Sequence, residues 1–154
     1  MNSGLVRSIA GLSNRWRSRF SRSKESFKPE HLRRGSLGEK LAGRFLRKNG
    51  YKILYRNFRG RSGGEIDIVA RDDDTLVFVE VKTRTREDFG RPIEAVGLQK
   101  QKQISRGALA WLRLLDNPDI LFRFDVVEVI IAEGAKPRLE LIRNAFQLSA
   151  PYIY

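Results

Sequence analysis

The chain contains no cysteine and a single histidine, His31. Disulfides and thiolate metal sites are therefore excluded, and one imidazole cannot build a histidine-rich zinc cage. Any metal must be held by oxygen. Long apolar runs are also missing: no stretch approaches the roughly 18 residues of a membrane span, and no signal-peptide core precedes a cleavage site. The expectation is a soluble intracellular protein, with the cytoplasm as its compartment. Acidic residues are scarce beside basic ones, 18 against 30, giving a formal net charge of +12 and a pI near 10.6. Such a surplus attracts polyanions: nucleic acid, acidic membranes or acidic proteins. What is present suffices for one core, since 154 residues, 41% of them apolar, fit a single domain.

The charge is unevenly spread. Residues 1 to 34 hold nine Lys or Arg against Glu25 and Glu30 and contribute +7, whereas residues 35 to 154 hold 21 against 16 and contribute +5. The first segment is rich in Ser and Arg and carries a sparse apolar series, Leu5, Ile9, Leu12, Trp16 and Phe20. Three readings stand side by side. A short segment of this kind cannot bury enough surface to fold alone, which gives a solvated, flexible basic arm. The apolar spacing also fits one face of a helix that forms on nucleic acid or an anionic surface. A basic, Ser-rich, acid-poor composition is equally that of an organellar transit peptide. Composition does not separate them, and the expected division is a basic extension over 1–34 and a folded α/β domain over 35–154.

In the folded part, Ser36, Leu37, Gly38 and Glu39 read as a capping box opening a helix, with Leu41, Phe45 and Leu46 on one face and Asn49-Gly50 as its stop. Tyr51 to Phe58 reads as a strand, and Arg59 to Gly64 as a glycine-rich connection. Two β-branched runs follow, EIDIVA at 65–70 and LVFVEVK at 76–82, separated by turn residues, so a hairpin is expected. A helix is predicted over Ile93 to Leu115 from the stripe Ile104, Ala108, Trp111, Leu112 and Leu115, with Gly97 and Gly107 as its weak points. FRFDVVEVIIA at 122–132 is another strand and RLELI at 138–142 a short last one. The order predicts an α/β fold, a mixed sheet flanked by helices.

Alternation along the hairpin places Glu65, Asp67 and Val69 on one face and Ile66, Ile68 and Ala70 on the other. A four-residue turn at Asp72 to Thr75 pairs Arg71 with Leu76, and counting back pairs Asp67 with Glu80 and Glu65 with Lys82. Three carboxylates and an amine then share a face, with Asp67 and Glu80 about 5 Å apart at Cβ. Facing carboxylates repel unless something positive lies between them. A hard divalent ion, Mg²⁺ or Mn²⁺, meets that need through carboxylates, carbonyls and water. Bound there, it would polarise a phosphate oxygen and acidify a water, with Lys82 orienting the nucleophile or stabilising the developing charge. The plainer reading is a solvated charged face in which Glu65 and Lys82 form a cross-strand salt pair. Apolar neighbours favour the first reading, because Ile66, Ile68, Val77, Val79 and Val81 back the hairpin and Phe78 lies among the charges.

The ordered motifs Gly38-Glu39, then Gly64-Glu65-Ile66-Asp67-Ile68-Val69-Ala70, then Phe78-Val79-Glu80-Val81-Lys82-Thr83-Arg84, then Arg123-Phe124-Asp125-Val126-Val127 resemble the YraN family of predicted endonucleases, within the PD-(D/E)XK nuclease superfamily. The resemblance covers residues 35 to 130. It implies a restriction-endonuclease-like αβββαβ core, with Asp67, Glu80 and Lys82 as signature residues and Glu39 as the acidic contribution of the first helix. Glu39 is also where a capping box places a Glu, a role worth roughly 1 kcal/mol, and one side chain does not easily serve both. Lys100 and Gln101 match a region where related nucleases place a polar residue over the substrate phosphate, while KQKQ reads more simply as solvated helix surface. Asp125, flanked by apolar residues, is expected to be a structural hydrogen-bonding partner. Arg59, Arg61, Arg84, Arg86 and Arg91 border the hairpin in what read as loops, where they either clamp phosphates or simply keep the protein soluble, and the flanking acidic site favours the first. His31 receives no role.

The leading expectation is a Mg²⁺- or Mn²⁺-dependent endonuclease acting on DNA rather than RNA, on branched or single-stranded structures as the resemblance to resolvase-like nucleases suggests. The alternatives are a nucleic-acid-binding protein without turnover, and an adaptor whose tail binds an acidic protein or membrane. A homodimer is open.

Overall fold

A computed structural model describes residues 29–85, 96–148 and 152. Nearly all of the basic extension, together with Arg86 and Arg91, lies outside the described residues.

The first helix, α1, spans Glu30–Lys48. It opens six residues before the predicted capping box. Pro29 stands at the N-cap, where its fixed φ suits the turn into a helix and its missing N–H costs nothing, and Glu30 pairs with Arg34 one turn on. Ser36 and Glu39 are consequently interior helix residues, and no side chain caps the start. The predicted stop holds: Asn49 Nδ2 donates to the Phe45 carbonyl at 2.9 Å, and Gly50 takes φ +89°.

Five strands follow in a single sheet of order β1-β2-β3-β4-β5: β1 Lys52–Arg59, β2 Glu65–Asp72, β3 Thr75–Arg84, β4 Phe122–Ile130 and β5 Arg138–Phe146. The second helix, α2, spans Leu98–Leu114 and joins β3 to β4, which pair in parallel; the other neighbours are antiparallel. This is the expected mixed α/β sheet, in the order αβββαβ with one further strand. Val96 and Gly97 precede α2, so the helix starts at Leu98 rather than Ile93. β5 runs for nine residues, well beyond the five of the predicted run.

Each face of the sheet carries its own core. Ala42 and Leu46 of α1 pack on Ile68, Ala70, Val77, Val79, Val127 and Val129. Ile104, Ala108 and Leu112 of α2 pack on Val69, Leu76, Phe78, Phe124 and Val126. Complete burial of each Leu, Ile or Phe here is worth about 1.5–3 kcal/mol. Close approach depends on glycine: a Cβ at Gly38 would fall on Thr83 Oγ1, and one at Gly64, which has φ +90°, would overlap the backbone nitrogen of Gly107 in α2.

The predicted alternation holds from Ile68 onward and fails at Ile66, which packs with the α2-side cluster rather than beside Ile68. Two local features account for it. Asn57, in the adjoining part of β1, has φ +54°, and the β2–β3 ladder stops at Ile68↔Val79.

Asp125 is wholly buried, as its apolar flanks predict. Its carboxylate accepts from Tyr51 Oη at 3.0 Å, Arg123 Nε at 3.0 Å and the Asn144 backbone N–H at 2.9 Å. Arg123 also reaches Asp72 Oδ2 at 2.6 Å. Arg123 and Arg143 lie over the Tyr51 ring, 5.7 and 5.6 Å from its centroid. These contacts tie the residue before β1 to the β2 end, β4 and β5; burial and then the Asp125 charge raise the pKa of Tyr51, against Arg123 and Arg143.

Candidate metal centre

The hairpin register is the one parity requires. Asp72 pairs with Thr75 and Arg71 with Leu76, through to Ile68 with Val79; Asp73 in the turn takes φ +48°. The next residues are Asp67 and Glu80. Here the side chain takes over from the backbone, for Asp67 Oδ2 accepts from the Val81 N–H at 2.7 Å. The acidic pair therefore sits where the ladder opens, with Asp67 only 8% and Glu80 only 3% exposed.

Two ammonium groups close on Glu80. Lys82 Nζ lies 3.0 Å from Oε1 and Lys100 Nζ 3.2 Å from Oε2. The second contact pairs the Lys100 ammonium with an oxygen that is itself fully buried. Asp67 is strained electrostatically by its position: burial, then the Glu80 charge, pushes its carboxyl up to about 7, against the Val81 hydrogen bond and Lys100, which pull it down. For Lys100, burial alone would lower the pKa, but Glu80 and Asp67 outweigh it and leave the ammonium above its ordinary value.

These residues fit a hard divalent cation. Two neighbouring buried carboxylates, one of them destabilised as an anion, make an oxygen donor set that further positive charge would relieve. Among the described residues no three carboxylate or imidazole side chains converge as a ready-made cage. Glu39 is half-buried on α1. Its charge adds to the upward push on Asp67, and its backbone carbonyl accepts from Arg56 Nη1 at 3.0 Å.

Several other expected site residues are placed differently. Glu65 does not meet Lys82; it stands opposite Arg59 in β1, with Arg59 Nη2 at 3.8 Å, because the ladder to β3 has already ended. Lys82 stands opposite Glu128 in β4. Arg84 is a strand residue rather than a loop residue, and its Nε pairs with Glu128 Oε1 at 2.8 Å. Lys100 is not solvated helix surface, since it is drawn onto Glu80. Gln101 Nε2 donates to the Val96 carbonyl at 2.8 Å and closes the first turn of α2. Arg59 is exposed at the end of β1 and Arg61 in the turn beyond. The buried acid Glu128 was not anticipated, although it shares the strand face of Phe124 and Val126. Lys100 also had a signal: it lies one helical turn before Ile104 and two before Ala108, on the apolar stripe.

Residues 38–129 match the uncharacterised protein family UPF0102. A UPF0102 protein of Geobacter metallireducens is 54% identical over 115 residues, covering 75% of this chain and 93% of that protein. One from Geobacter sulfurreducens is 52% identical over 115 residues, covering 75% and 89%, and one from Rhodococcus opacus 45% identical over 116, covering 75% and 98%. The chain belongs to the UPF0102 family. The YraN likeness expected over 35–130 is thus borne out at the level of the family. The UPF0102 match contains Glu39, Asp67, Glu80, Lys82, Lys100 and Asp125, and leaves outside it residues 30–37 of α1 and all of β5.

Proposed function

We propose that this UPF0102 protein is a Mg²⁺- or Mn²⁺-dependent endonuclease of the PD-(D/E)XK superfamily. It hydrolyses phosphodiester bonds of nucleic acid, DNA ahead of RNA, with branched or single-stranded structures as its substrates and the cytoplasm as its setting. The observation that carries this reading is the burial of Asp67 beside Glu80 at the open end of the hairpin ladder, with Lys82 and Lys100 both on Glu80.

Asp67 and Glu80 would hold the ion, with backbone oxygens and water completing its set. When bound, the ion supplies Lewis-acid stabilisation of a phosphoryl oxygen and a more acidic water. Lys82 and Lys100 fix two positive charges beside the carboxylates, where negative charge grows as water adds to phosphorus and the ester bond breaks. Lys82 and Lys100, with side chains 28% and 26% exposed, are both open enough to meet the water or the substrate. Burial strengthens each of these interactions by excluding solvent.

The test is nicking of a panel of duplex, single-stranded and junction DNA in Mg²⁺ or Mn²⁺. Wild type is expected to cut at least one substrate and an Asp67→Ala/Glu80→Ala variant none; equal behaviour across the panel would contradict the proposal. A second reading, nucleic-acid binding without turnover, draws on the same geometry, since two ammonium groups already balance two carboxylates. It predicts salt-sensitive binding with no metal requirement.

A further inference from the structure

Arg56, on β1, is a cation the acidic site does not use. Its guanidinium lies on the backbone of α1 at Gly43, close enough that a Cβ there would overlap Nη2 and crowd the rest of the group. Nη1 donates to the Glu39 carbonyl at 3.0 Å, which is the only hydrogen bond the Arg56 side chain makes among the described residues, and no carboxylate forms an ion pair with it there. A glycine inside a helix is destabilising relative to alanine. Here it seats a half-buried guanidinium instead of a core side chain. Burial and then the charge of Arg47, exposed in the last turn of α1, lower the pKa of Arg56, and Glu39 offsets them only in part. A partly desolvated cation held in place, with donors to spare and a second cation beside it, is complementary to an oxyanion.

We infer that Arg56, seated on Gly43 and flanked by Arg47, is a phosphate-binding site on the α1 face that grips the nucleic-acid backbone. The inference rests on nucleic acid being the substrate class, and not on turnover.

The experiment is fluorescence anisotropy of labelled single-stranded and duplex DNA with the full chain in EDTA, over a salt series. Arg56→Gln and Gly43→Ala are each expected to weaken binding roughly tenfold at low salt and to make the salt slope shallower by about one, as befits a single phosphate no longer neutralised. Gly43→Ala leaves the net charge unchanged, so weaker binding there separates a seated guanidinium from bulk charge. Arg47→Gln is expected to have a smaller effect. Thermal melts monitor folding; if Gly43→Ala does not fold, Arg56→Lys takes its place, with severalfold weaker binding expected because an ammonium lacks the planar fork. Binding and salt slope like wild type in Arg56→Gln and Arg56→Lys would overturn the inference alone. A wild type that binds no nucleic acid would overturn it together with the nucleic-acid reading. A wild type that binds through Arg56 but never nicks would leave the site standing and remove only catalysis.

Discussion

At Asp67, burial and the neighbouring Glu80 charge act in the same direction and hold the carboxyl up at about 7. Its unfolded value is about 3.9, so between about pH 4 and 7 the folded chain binds more protons than the unfolded one. Stability then falls as pH rises through that window, and the full penalty is present above it. Asp67→Asn keeps an acceptor for the Val81 N–H and removes the charge. Without divalent ions it should be more stable than wild type at pH 8 by about 2–4 kcal/mol, with the gain fading towards pH 4; melts that coincide at both pH values would count against the account. Asp125 presents the opposite case, a buried carboxylate already satisfied by Tyr51, Arg123 and Asn144. Asp125→Ala should lose about 3–5 kcal/mol in urea unfolding, because Tyr51 Oη, Arg123 Nε and the Asn144 N–H lose their shared buried acceptor. Both residue types were legible from the sequence, Asp67 through strand parity and Asp125 through its apolar flanks. Lys100 was harder to place because its immediate neighbours are polar, and only the phase of the stripe further along α2 shows that it turns inward.

The elements themselves follow from local pattern where pattern and packing agree. An even loop fixed the hairpin register from Asp72↔Thr75 to Ile68↔Val79, which leaves Asp67 and Glu80 as the next residues at the open end of the ladder. The start of α1 was not legible, because Ser36 and Glu39 imitate a cap while Pro29 and the Glu30–Arg34 pair open the helix six residues earlier. Strict alternation also misplaced Ile66 and the Glu65–Lys82 pair, since sequence does not show where a ladder ends or where a residue such as Asn57 enters the left-handed region. Gly64 shows how tightly the site's strand is fitted to α2: its φ of +90° and the lack of room beside Gly107 both exclude a side chain. Gly64→Ala should destabilise by about 2–4 kcal/mol in denaturant melts, from overpacking together with left-handed strain; a change below about 0.5 kcal/mol, the ordinary range for a surface substitution, would refute that fit.

For the molecule as a whole, the α/β class and the order of elements were readable because strands and helices alternate with clear punctuation, and the family relationship was carried by motifs that the fold places around one sheet. The long last strand and the Tyr51–Arg143 stacking depend on packing across β4 and β5 that no local window contains. A net charge of +12 draws the protein towards polyanions, while its two most buried site carboxylates would repel a phosphate unless a cation intervened. Binding of a divalent ion at Asp67 and Glu80 is therefore the central claim. Calorimetric titration of Mg²⁺ or Mn²⁺ at pH 8 into wild type and Glu80→Ala tests it most directly. Saturable binding by wild type, weakened at least tenfold in Glu80→Ala, is the predicted result; no binding by wild type, or the same isotherm for both proteins, would contradict it.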